Sequence, residues 1–175
     1  MNEASRRMAL GGVLAALGTG IMLLGGVIPA ATFCCPVLAS LALVPMREES
    51  GSRWAYLVWA ATAILSLILS PDKESALLYA ALGYYPVLKP KLDRLPGFRR
   101  LVCKLALYNA AVCASYALML FVLRMDALRQ EFFSEGKWML LALLLGGNAV
   151  FILYDLLLNR ISPVLCRLLH TKRRR

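Results

Sequence analysis

The chain has 175 residues, 60% hydrophobic and 17% charged, with a formal net charge of +10 and a mean hydropathy of +0.66. A soluble domain of this length sits nearer half apolar, so this composition excludes an ordinary core-and-shell globule and points to a helical membrane protein. The runs lack the in/out alternation of barrel strands, and lipid offers the backbone no hydrogen-bonding partner, which leaves helices.

The expected fold is an all-α membrane protein with six transmembrane helices and both termini in the cytoplasm, as one integral membrane domain spanning residues 1–175. The first expected span, Met8–Ile28, follows Arg6 and Arg7 and is about 20 residues long, as a crossing requires. It is read as an uncleaved helix rather than a signal peptide, because more spans follow. The second is Ala30–Met46, short and containing Pro36; the third is Trp54–Leu69. The fourth, Ser75–Leu88, has only 14 residues, and the fifth and sixth are Leu101–Leu123 and Trp138–Leu158. Turn signals separate them: Pro29 with Thr32, REESGSR, SPDKES, KPKLDRLPGFRR and RMDALRQEFFSEGK. Residues 124–137 are expected to form a short amphipathic helix outside. Residues 161–175 form a basic cytoplasmic tail whose last part, HTKRRR, is expected to be disordered and drawn to anionic lipid.

Positive charge decides the number of crossings. With six spans, 16 of the 20 basic residues lie on one side, leaving only Lys73, Arg124, Arg129 and Lys137 on the other. If the short fourth run did not cross, the large basic loop and the tail would both move outside, against the positive-inside bias. The same bias explains the net charge without nucleic acid, and the expected location is the cell's inner (plasma) membrane. SPDKES is then an outer hairpin. Ser70 is expected to cap the helix that follows, with Pro71 in its first position and Asp72 and Glu74 complementing its positive end. Lys73 does not fit that account, because a cation is unfavourable in a first helical turn.

No motif of catalytic chemistry is present. Gly136–Lys137 lacks the rest of a P-loop, and there is no HExxH or GxSxG pattern. The five cysteines show no ligand spacing and read as small apolar fillers, and the one histidine, His170, lies in the tail. Neither an enzyme nor a bound cofactor or metal is expected.

The polar residues within the spans are few. Asp155, near the cytoplasmic end of the last span, is expected to pair with Arg160 or another basic residue. Asn109 and Asn148 are either an interhelical hydrogen bond or the lining of a pocket. Lys73, Tyr79 and Asn148 are the candidate substrate-binding residues. In the first span, Gly12, Ala16 and Gly20 share one stripe, with Gly11, Ala15 and Thr19 beside it. This nearly flat face packs internally or docks another membrane protein, so Gly12, Ala16 and Gly20 are the candidate docking residues.

The six-span layout, the opening SRRMALGGVLAALG and the small-residue first helix resemble the substrate-binding S components of energy-coupling factor transporters. That resemblance implies capture of a small molecule from outside and docking on a partner transmembrane subunit with two ATPases. The family's Ala-xxx-Ala docking pattern finds its nearest match in Gly12-xxx-Ala16. The layout is also similar to a small rod-shape-determining membrane protein family of the cell-wall elongation machinery, which implies a scaffold without a ligand.

Overall fold

The computed structural model describes residues 2–25, 32, 34–121 and 136–173, with side chains at all of these except 119–121, 136–143 and 164–173. Among the described residues every regular element is an α-helix: α1 (Glu3–Gly25), α2 (Cys34–Leu41), α3 (Leu43–Ser50), α4 (Ser52–Leu69), α5 (Lys73–Leu82), α6 (Tyr85–Leu92), α7 (Gly97–Phe121) and α8 (Gly136–Arg173). Four of them contain segments long and apolar enough to cross a membrane: Glu3–Gly25, Ser52–Leu69, Gly97–Leu118 and Leu144–Pro163. Their outward faces carry Leu57, Ile64, Ile68, Leu145 and Leu153, all more than half exposed. Water would penalise so large an apolar surface, and lipid does not. The chain is a helical membrane protein.

The second and fourth expected spans are each broken in two, for the same reason. Pro45 has no N–H for the Leu41 carbonyl four residues earlier, and its ring crowds that carbonyl. The helix breaks at Ala42, whose N–H turns instead to the Ala39 carbonyl at 3.2 Å. Pro86 acts likewise on Leu82, and the break falls at Gly83–Tyr84. Each half is 8 to 10 residues, about 12–15 Å long, or half of a hydrocarbon core. The two broken pairs lie side by side, α2 against α5 and α3 against α6.

Other boundaries also shift. The REES segment, expected as a turn, continues α3 to Ser50. The tail, expected to be disordered, is helical through Arg173 as a continuation of α8. The expected turn at Pro29 and residues 124–135 of the expected 124–137 helix lie outside the described residues, and its last two, Gly136 and Lys137, open α8 instead.

The core forms where α1 meets α2 and α4. Gly11, Ala15, Gly18 and Met22 face inward. A Cβ on Gly18 would sit 3.0 Å from Thr62 Cγ2, so glycine there sets how closely α1 approaches α4. A second core joins α3, α6 and α8 through Val44, Tyr85, Phe151, Tyr154 and Leu158. Arg6 pairs with Glu49 at 3.3 Å, so the start of α1 and the end of α3 share one end of the bundle.

Candidate functional site

The SPDKES hairpin folds differently from its expected capping scheme. α5 starts at Lys73 with Asp72 as its N-cap, its carboxylate accepting from the Ser75 N–H at 3.1 Å. Ser70 instead ends α4, its N–H donating to the Ser66 carbonyl at 2.9 Å. Lys73 donates through Nζ to the Leu67 and Ser70 carbonyls, both at 2.8 Å. A cation that would be unfavourable at the start of α5 thereby sits at the negative end of α4, where free carbonyls await donors. Glu74 accepts from Tyr116 Oη of α7 at 2.9 Å, tying the hairpin to a third helix.

Beneath this fastened hairpin lies a hydroxyl-rich interface. Thr62 and Ser66 are one turn apart on α4, Ser75 and Tyr79 one turn apart on α5, and the two helices pack together. Ser66, Ser75 and Tyr79 are each 0% exposed. The hydroxyl oxygens of Ser66 and Ser75 are buried with no hydrogen-bond partner among the described residues, and the buried hydroxyl of Tyr79 lies beside that of Thr62. Burying an unsatisfied hydroxyl costs about 1–3 kcal/mol, so two such serines beside Tyr79 in one interface are an arrangement that packing alone disfavours. Trp59 borders the interface, with its indole Nε1 donating to the Tyr79 carbonyl at 3.4 Å. Chemically, three hydroxyls offer donors and acceptors with no net charge.

Asn148 lies elsewhere, on α8. It exchanges two hydrogen bonds with Asn109 of α7, each amide donating to the other's carbonyl at 3.1 Å. Each side-chain nitrogen also donates to the carbonyl one turn back, Leu105 and Leu144 respectively. The pair meets because Gly147 leaves room: a Cβ there would lie 2.5 Å from Tyr108 Oη. Of the three candidate binding residues, Lys73 and Tyr79 thus share α5, and Asn148 stands apart.

At the opposite end of the bundle is an ionic network whose members are far apart in the sequence. Asp155 accepts from Lys104 at 2.8 and 3.0 Å, from Tyr85 Oη at 2.6 Å, and from Lys89. Asp93 completes it, 2.5 Å from Lys104 and 3.2 Å from Lys89. Burial pushes the Asp93 carboxyl up, but hydrogen bonds from Lys104 and Lys89 outweigh it and hold the pKa below the ordinary carboxylate range. Two lysines and two aspartates balance, so the network joins α6, α7 and α8 without net charge. The expected partner of Asp155 was Arg160 or another basic residue; the structure supplies Lys89 and Lys104. The available signal was Lys104 itself, a lone cation inside the apolar run LVCKLALY.

The candidate docking stripe is open. Among the described residues a Cβ on Gly12 or Gly20 would meet no atom within 4 Å; Gly12 and Ala16 are exposed and Gly20 is half-buried. Gly11, Ala15 and Thr19, the neighbouring stripe, are buried against the rest of the bundle. The two stripes therefore divide, one packed inside and one facing out. In comparisons with known proteins, no family model, no curated protein and no solved structure matches this chain.

Proposed function

We propose that the chain is a six-span, multi-pass protein of a bacterial inner membrane with both termini in the cytoplasm. In this reading the broken pairs α2–α3 and α5–α6 are the second and fourth crossings, and SPDKES faces outward. The basic ends of α6 and α8 then lie inside with Arg47 and Arg53 of the α3–α4 turn, in keeping with the positive-inside bias.

In that orientation the protein captures a small, uncharged molecule from the outer side as the substrate-binding subunit of an energy-coupling factor-type importer. The observation that carries this is the set of buried hydroxyls of Ser66, Ser75 and Tyr79 at the base of the outer hairpin, of which those of Ser66 and Ser75 have no hydrogen-bond partner among the described residues. Irregular or broken helices in membrane proteins commonly frame binding sites, and α5 is half of one. Lys73 holds the hairpin over the site, Tyr79 contributes to it, and Asn148 braces α7 against α8. The open stripe of Gly12, Ala16 and Gly20 is the docking face for the transporter's transmembrane subunit and its two ATPases.

A scaffold role in cell-wall or shape machinery is the second reading, favoured by that same open stripe, which needs a partner but no ligand. Tagged purification from the native membrane in mild detergent, with mass spectrometry of everything retained, separates the two. A transmembrane subunit with two ATPases supports the importer, and their loss with Gly12→Leu/Ala16→Leu places the contact on α1. Cell-wall machinery with no ATPase overturns it.

A further inference from the structure

A cavity of about 240 Å³ opens at the basic end of the bundle between α3, α6 and α8, apart from the hydroxyl interface. Val44, Leu158 and three prolines, Pro86, Pro90 and Pro163, form its apolar walls, Arg47, Asn159 and Ser162 its polar rim, and Lys89 with Asp93 its floor. The prolines shape its chemistry. Pro90 removes the helical donor of the Pro86 carbonyl, and Arg47 supplies one instead at 3.3 Å. Pro163 likewise removes the helical donor of the Asn159 carbonyl, beside the Ser162 hydroxyl.

Arg47 uses two of its five N–H groups among the described residues, on Pro86 and on Glu48 at 2.7 Å. The remaining N–H groups, with Ser162 and the Asn159 amide, are donors around one opening. The network of Lys89, Lys104, Asp93 and Asp155 fixes the floor. Outside it, Arg53, Lys91, Arg94 and Arg160 form no ion pair among the described residues and leave this end of the bundle cationic. An apolar-walled, donor-rimmed cavity at the end of membrane-spanning helices suits an amphiphile whose charged group is an anion.

We infer that this cavity binds the phosphate diester of an anionic glycerophospholipid from the adjoining leaflet, with Arg47 and Ser162 as donors to the phosphate and the proline walls against the glycerol. The site is separate from the outer-side capture proposed above and stands whether or not that reading holds.

The test uses the full chain, purified and delipidated in detergent, offered equimolar phosphatidylglycerol and phosphatidylcholine and read by native mass spectrometry. One phosphatidylglycerol per chain is expected, with a preference of roughly fivefold to tenfold over phosphatidylcholine. Arg47→Gln should bring that preference close to unity. Ser162→Phe, which fills the cavity without removing a charge, should do the same and serves if Arg47→Gln fails to fold. Arg99→Gln, an exposed cation outside the cavity, should leave the preference unchanged. Equal retention of both lipids by the natural chain would overturn the inference, as would equal losses in all three variants, which would indicate diffuse surface attraction. Displacement of the lipid by equimolar glycerol phosphate would also overturn it, because the ligand would then be a soluble phosphoester.

Discussion

Lys73 in the first turn of α5 donates to the Leu67 carbonyl at 2.8 Å, so the hairpin's cation closes the C-terminal end of α4. Replacing it with Met strands two carbonyls at a helix end and removes a favourable charge–dipole contact. The expected loss is about 0.5–2 kcal/mol, read as a lower unfolding temperature in detergent, with Lys73→Arg recovering part of it.

Asp155 is held by two lysines and a tyrosine, and removing it leaves the lysine ammonium groups short of a counter-charge in a partly buried site. Asp155→Asn should cost about 3–5 kcal/mol. Asp155→Leu combined with Lys104→Met should recover much of it, since the lost charge and its main partner go together. Chemical or thermal unfolding of the two variants in the same detergent checks this. Asp93 adds a pH dependence. Its folded pKa is depressed, so its contribution is complete above the ordinary carboxylate pKa and disappears as the pH falls through the depressed one. Stability should therefore decline on strong acidification, and Asp93→Asn should flatten that part of the profile while leaving its neutral-to-basic side in shape.

Asn109 and Asn148 satisfy each other across α7 and α8. Either single change to Leu removes both cross-helix bonds and leaves the other amide with its own-helix carbonyl alone, whereas the double change removes both amides. A double-mutant cycle on thermal unfolding should give a coupling of about 0.5–1.7 kcal/mol, with the double variant closer to the natural chain than the singles would sum to. Additive losses would mean that the two amides do not act as a pair.

Much of the architecture was legible in the sequence because lipid demands uninterrupted apolar helices: α4 follows its run closely, α1 and α7 overlap most of theirs, and α8 covers its run and continues to Arg173. The broken elements were harder to read. Pro45 and Pro86 act on carbonyls four residues earlier, so a hydropathy run passes across a break that only hydrogen bonding reveals. Lys89 and Lys104 stand out in the sequence as basic residues on the expected cytoplasmic side, and nothing in their spacing brings them to Asp155, which is 66 and 51 positions away. Lys73 was conspicuous as a misplaced charge in its own helix, and its role became visible only with α4 beside it. Ser66 and Ser75 carried no signal at all. Serine is common in apolar helices because it usually bonds to its own backbone, and only the packing reveals that these two do not.

The hydroxyl of Tyr79 separates the proposed function from simple packing more directly than any other group. The buried Tyr79 hydroxyl lies beside Thr62 and makes no close hydrogen bond among the described residues, so Tyr79→Phe should change the unfolding temperature little. If the hydroxyl binds substrate, the same variant should retain roughly fivefold to tenfold less of it. The decisive measurement is mass spectrometry of small molecules released from the natural chain and from Tyr79→Phe, with a melting curve on each preparation. A molecule released by the natural chain and depleted in an equally stable variant is the predicted result. An empty natural chain, or a variant that melts well below it, would contradict the account.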